Sequence, residues 1–234
     1  MEYLYASFTT VNNWELRKIM SFNKYKNIAD VLQEFPLTYS ERNFIEQISI
    51  EIDPYFQNRL DFMLKEGVVF NSEYAICESI IHPILVEIWR KYADKLLLWS
   101  HQPLNYDENL SGIPDYMVAQ RSVRGKIILD KPYLIIVEAK KDNFEEGWGQ
   151  CLIELIAAQK INGDQNSRLF GIVSNGKVWE FGLLHATEFT KNIKYYVLED
   201  LQLLMDGLNF IFANSFDQLD KYASDHSQRG DRPI

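Results

Sequence analysis

Apolar residues run unbroken from Tyr133 to Val137 and end in Glu138, Ala139 and Lys140. A short apolar run without alternation reads as a strand buried on both faces. Lys95–Ser100 and Tyr116–Ala119 read as further strands, with Lys126–Leu129 extending a hairpin into the central strand. Leu169–Val173 and Val178–Phe181 are separated by Ser174–Lys177, whose Asn175-Gly176 pair predicts a tight hairpin turn. Asn192–Leu198 is one more candidate strand. Helical spacing replaces this pattern elsewhere. Ile81, Leu85, Ile88 and Tyr92 recur on one face, widened by Ile76, Ile80 and Ile84. That face predicts a helix capped by Asn71 or Ser72, with Glu73 in its first turn, running to about Tyr92 with a kink at Pro83. Gly147–Lys160 and Glu199 to about Ala213 read as two more helices. Upstream, Trp14–Met20, Ile28–Glu34, Ser40–Ile48 and a segment opened by Pro54 and ending near Gly67 all read as helical.

The order helix, strands, helix, strands, helix predicts an α/β fold with a mixed sheet flanked by helices. The expected organisation is a mostly helical N-terminal extension over 1–70, a core over 71–215 and a polar C-terminal tail over 216–234. The 47% hydrophobic content of the 234 residues suffices for a core of ordinary size. No apolar run reaches membrane-span length, and Met1–Tyr5 has no basic, signal-like character. Cys77 and Cys151 fall in apolar helical segments, as buried reduced thiols do, so a cytoplasmic location is expected. The net charge of −9 argues against a protein that coats nucleic acid nonspecifically. Residues 121–141, however, hold six basic residues against Asp130 and Glu138. That cluster is either a field beside a site or a solvated hairpin loop.

The candidate chemistry lies at strand ends. Glu138 and Lys140 are two residues apart and share a strand face. Gly112-Ile113-Pro114-Asp115 opens the neighbouring strand, which brings Asp115 within reach of Glu138 if the two strands pair as a hairpin. Two carboxylates can hold a magnesium ion, and a lysine can stabilise charge on phosphate or orient water. Asp115, Glu138 and the backbone of Ala139 are the expected ligands of Mg2+, with Mn2+ expected to substitute. Glu78 is the expected acid from the flanking helix. A lone Glu-x-Lys or Pro-Asp is weak; their order between a capped helix and a following helix is more specific.

This arrangement, from about Glu73 to Phe181, resembles the PD-(D/E)xK nuclease superfamily, the fold of many restriction endonucleases. It is similar within it to the nuclease domains of type I restriction-enzyme motor subunits. It also resembles a group of uncharacterised cyanobacterial proteins that share the Gly-Ile-Pro-Asp and Val-Glu-Ala-Lys-Lys-Asp-Asn wording. The resemblance implies a restriction endonuclease-like core, with Asp115 and Glu138 binding magnesium and Lys140 assisting catalysis. Its helix glutamate falls on Glu78, with Glu73 as competitor. Its glutamine falls on Gln150, but Glu154 stands where such nucleases often carry a tyrosine. The function implied is a magnesium-dependent nuclease hydrolysing phosphodiester bonds, of DNA, through a metal-activated water. A homodimer is plausible by the same precedent. The alternatives are a catalytically inactive nucleic-acid-binding or regulatory module on the same fold, or an unrelated α/β protein in which Lys140 pairs structurally with Glu138. His82 and His101 are read as helix and strand-end residues rather than ligands.

Overall fold

The protein is described by a computed structural model over residues 22–228. The expected helix Trp14–Met20 lies outside the described residues. Strands β1 (Thr38–Glu41), β2 (Leu96–Ser100), β5 (Tyr116–Arg121), β6 (Leu129–Ala139), β7 (Leu169–Ser174), β8 (Val178–His185), β9 (Glu188–Lys191) and β10 (Tyr196–Val197) form one sheet. Its order is β1-β9-β8-β7-β6-β5-β2, with β10 also paired to β8. β6 pairs β7 in parallel, as β1 does β9, and the other pairs are antiparallel, so the sheet is mixed. Two short strands, β3 (Leu104–Asn105) and β4 (Ser111–Gly112), form a separate ribbon. The chain is thus α/β, with helices on both faces of a mixed eight-stranded sheet.

Alternation along the strands sorts side chains into two cores. Val118, Ile135, Val137 and Phe181 face one way, against Ile76, Ile80, Ile84, Leu208 and Phe212. Met117, Ile136 and Val173 face the other, against Trp148, Cys151 and Leu155. The second face carries the helix after the central strand, Phe144–Asn162. It is buried nearly all round, because Phe22, Tyr25 and Val31 cover the side turned from the sheet. Asn143 caps its start by accepting from the Glu146 N–H, and Gly163, at φ 72°, closes its end in the left-handed conformation. Both cysteines are buried and free.

The helices are α1 (Ile28–Glu34), α2 (Pro54–Glu66), α3 (Glu73–Ile76), α4 (His82–Trp89), α5 (Phe144–Asn162) and α6 (Leu201–Gln228). Between α3 and α4 the chain makes a π turn over Cys77–Ile81, in which the His82 N–H reaches back to the Cys77 carbonyl. The expected kink is therefore a widened turn. Pro83 has no N–H and its ring crowds the carbonyl four residues back, and a π register relieves both. The extra residue leaves Glu78 exposed while Cys77, Ile80 and Ile81 are buried.

Several expectations differ from the structure. Ser40–Ile48 is not helical: Thr38–Glu41 forms edge strand β1, and 42–53 has no regular structure. Its backbone groups are met from other elements. Asn192 accepts from the Phe44 and Ile45 N–H groups, Asp206 accepts from the Ile50 N–H, and Asn209 and Gln202 donate to the Ile48 and Ile50 carbonyls. Phe44, Ile45, Ile50 and Ile52 meanwhile join the core. The extension is therefore mixed in structure and packs against the core. The strand expected at Asn192–Leu198 shrinks to Tyr196–Val197, and β9 forms just before it. α6 runs on to Gln228, well past the expected tail boundary at 216. Among the described residues no helix is long and apolar enough to cross a membrane.

Gly149 sets how closely the N-terminal segment lies on α5. A Cβ there would stand 2.7 Å from the Tyr25 carbonyl oxygen and 2.8 Å from the Asn27 nitrogen. Backbone does not yield as a flexible side chain does. Gly149→Ala is expected to lower stability by about 1–3 kcal/mol, read as a lower urea midpoint; an unchanged midpoint would show that the segment can lift off α5 freely.

Candidate active site

Asp115 owes its position to Pro114 and to the register that follows. Proline has no amide to donate, so the β5 ladder starts only after it, and Asp115 sits at the bend before the strand. Tyr116 pairs antiparallel with Val137, which carries Asp115 to the position opposite Glu138. Their parity is that of Met117 and Ile136, so both carboxyls lie on the α5 face. The Ala139 N–H donates to Asp115 Oδ2 at 2.8 Å, so Ala139 joins the arrangement through its amide.

Lys140 follows directly. Its N–H donates to the Ser174 carbonyl at 2.9 Å, and its Nζ lies 3.3 Å from Glu138 Oε2. Its stem passes Gly147, where a Cβ would come within 2.9 Å of Lys140 Cγ. One turn of α5 supplies Gln150 and Glu154. Asp115, Glu138, Lys140, Gln150 and Glu154 line one cavity of about 190 Å3, which Phe22, Gly112 and Ile113 close.

The structure does not bring Glu78 into this cavity. The π turn packs on the opposite face of the sheet, and Glu78 instead acts on the Tyr116 hydroxyl. Glu73 comes nearer: its Oε2 is 3.4 Å from the Lys141 amide nitrogen, and its charge acts on Lys140. Of the basic cluster, only Lys140 and Lys141 are beside the site. Arg121, Arg124, Lys126 and Lys131 lie at or near the other end of the β5–β6 hairpin, roughly 20 Å away at ~3.3 Å per residue.

Two residues join the site that the sequence reading does not place there. Glu154 is 2% exposed, is hydrogen-bonded to Glu138, and keeps Oε2 without a hydrogen-bond partner. Its signal is the four-residue spacing from Gln150, which puts both on one helix face. His101 has its Nε2 3.5 Å from Asp115 Oδ1 and its N–H on the Asp115 carbonyl at 3.0 Å. It holds that place with a φ of 51°, which side-chain-bearing residues rarely adopt. Nothing in the local pattern marks this histidine.

Burial dominates the electrostatics. It pushes the Asp115 carboxyl up, against the Ala139 N–H and the charges of Lys140 and His101. Burial also raises Glu138 and Glu154, reinforced for Glu138 by Asp115 and for Glu154 by Glu138. A hydrogen bond between two carboxyls requires a proton on one of them, so this pair titrates as a unit. Burial pulls Lys140 down, but Glu138, Glu73 and Asp115 outweigh it and leave the ammonium held above its ordinary range.

The donors are all oxygen, which suits a hard divalent cation, and the unpartnered Glu154 oxygen is a further available acceptor. Among the described residues no three His, Cys, Asp or Glu groups stand together in metal-ligand geometry, and Glu138 accepts hydrogen bonds from Glu154 and Lys140. No family model and no curated protein matches the chain.

These raised carboxyls link stability to pH. The folded chain holds protons that the unfolded chain releases above about pH 4, so stability falls as pH rises through the raised values. Without added divalent cation, the thermal midpoint is expected to drop between about pH 5 and 8 by this linkage. Glu154→Gln, which removes one acid but keeps a hydrogen-bonding side chain, is expected to flatten that slope. A variant profile parallel to the wild type would locate the proton linkage elsewhere.

Proposed function

We propose that the protein is a magnesium-dependent nuclease of the PD-(D/E)xK type that hydrolyses phosphodiester bonds of DNA. One observation carries the reading: Asp115, at the bend that leads into β5, stands opposite Glu138 of β6, in a cavity shared with an ammonium, Lys140, ion-paired to Glu138. Asp115 and Glu138 would hold the cation, with the Ala139 backbone beside them and Glu154 behind. The cation supplies charge neutralisation at the phosphate and makes water a stronger nucleophile at neutral pH.

The chain's own residues do the remainder. Lys140 carries a positive charge that does not depend on pH in the neutral range, because its carboxylate neighbours hold the proton on. In a buried cavity such a charge acts strongly on the negative charge that accumulates on phosphate oxygens. The Ala139 amide fixes Asp115, and Gly147 leaves room for the Lys140 stem, so both groups are set before a substrate arrives. Gln150 offers an amide from the first turns of α5, and Phe22 limits water on the remaining side.

The second reading, a binding module without catalysis, draws support from the absence of a three-ligand group among the described residues. One assay separates the two. Single- and double-stranded DNA should be cleaved with Mg2+ or Mn2+ and not with EDTA. Lys140→Ala should lower turnover by about 10²–10³-fold, and Asp115→Ala should abolish cation-dependent cleavage. DNA binding without cleavage under any of these conditions would favour the module, and undiminished cleavage by either variant would refute the site.

A further inference from the structure

A second cavity lies on the far side of α5. It measures about 630 Å3 and is lined by Tyr39, Phe144, Glu145, Trp148, Glu180 and Lys191, among others. Its volume is in the range of small-molecule sites, which pair apolar and aromatic walls with a few placed polar groups. Here Tyr39 and Phe144 supply the accessible rings, Trp148 is 1% exposed, and the polar groups are Glu180 and Lys191, 2.8 Å apart. Glu180 Oε2 also accepts from Trp148 Nε1, while Oε1 has no hydrogen bond among the described residues. Lys191 Nζ sits 5.5 Å from the Trp148 ring centroid. A carboxylate acceptor and an ammonium donor therefore stand side by side beneath aromatic walls.

We propose that this cavity is a nucleobase pocket that reads guanine. The ring stacks on Tyr39 and Phe144, the one Glu180 oxygen left open, Oε1, accepts from both N1–H and the 2-amino group, and Lys191 donates to O6. Adenine places an amino group where guanine has O6, so it sets donor against donor at Lys191. A free phosphate is the poorer occupant, since Glu145 and Glu180 outnumber the single lysine.

The inference rests on the nuclease reading for its purpose. Glu138 pairs with Val173, and Val173 with Glu180, so the two glutamates stand in one row of the sheet on one face. Two strand spacings separate them, about 10 Å. The first turns of α5 lie on Val173 between them, so a strand with a base at Glu180 and a phosphate at Glu138 would pass over the start of that helix. The pocket would make cleavage depend on a guanine beside the scissile bond.

The test uses the full chain carrying Asp115→Ala, without divalent cation, titrated with the four nucleosides and followed by tryptophan fluorescence. Guanosine is expected to bind at least about tenfold more tightly than adenosine. Glu180→Gln and Lys191→Met should each remove that preference with the thermal midpoint retained. Equal affinity for the four nucleosides, or no saturable binding, would overturn the pocket. A parallel cleavage assay on oligonucleotides with and without guanine, with Mg2+ and the native Asp115, keeps the two readings apart. Guanosine binding in a chain that cleaves nothing sustains the pocket and removes the nuclease; cleavage indifferent to guanine, without nucleoside preference, does the reverse.

Discussion

The antiparallel pairing of β5 with β6 is the constraint on which the candidate site depends. A strand register is a discrete choice, and a slip of one residue would turn every side chain to the opposite face. With Tyr116 opposite Val137, Asp115 and Glu138 fall on the α5 face together and the Ala139 amide can lock the aspartate. The register itself is held by burial. Tyr116, Val118, Ile135 and Val137 enter one core while Met117 and Ile136 enter the other. A slip would exchange the two sets and strand the carboxyls in the wrong layer.

That same burial accounts for the charge state of the site. Three carboxyls and one ammonium share a small cavity from which water is largely excluded, and unpaired charge there is costly. The chain answers in two ways: Lys140 pairs with Glu138, and Glu138 shares a proton with Glu154. A cation would offer a third answer, which is why the excess of acid supports the proposed metal chemistry. Breaking the register, the ammonium or the acid pair would each disturb the other two.

α5 organises both cavities. Its glycines let it approach closely: Gly147 lies over Val173 and the Lys140 stem, and Gly149 lies under the Tyr25–Asn27 backbone. Gln150 and Glu154 point to one side of the helix and Trp148 to the other, so one element presents acid to the β5–β6 pair and an aromatic wall to β8 and β9. The N-terminal segment completes both, through Phe22 at the first cavity and Tyr39 at the second.

What the amino-acid order determined on its own was the set of elements whose patterns are local. The apolar run into Glu138, the Asn175-Gly176 turn and the isoleucine-rich face after Ser72 each carry their instruction within a few residues, and each forms close to where it is expected. The approach of Asp115 to Glu138 was legible too, because Pro114 and a hairpin connection leave few other arrangements. Tertiary structure decided the rest. Residues 40–48 have helical spacing, yet side chains from Asn192 and Asn209 satisfy backbone groups there outside any helix. Glu78 has the expected helical context, yet a π turn and the choice of sheet face remove it from the cavity that Glu154 enters. Periodicity records which side of an element is buried; it does not record which other element does the burying, and that depends on contacts between residues far apart in the chain.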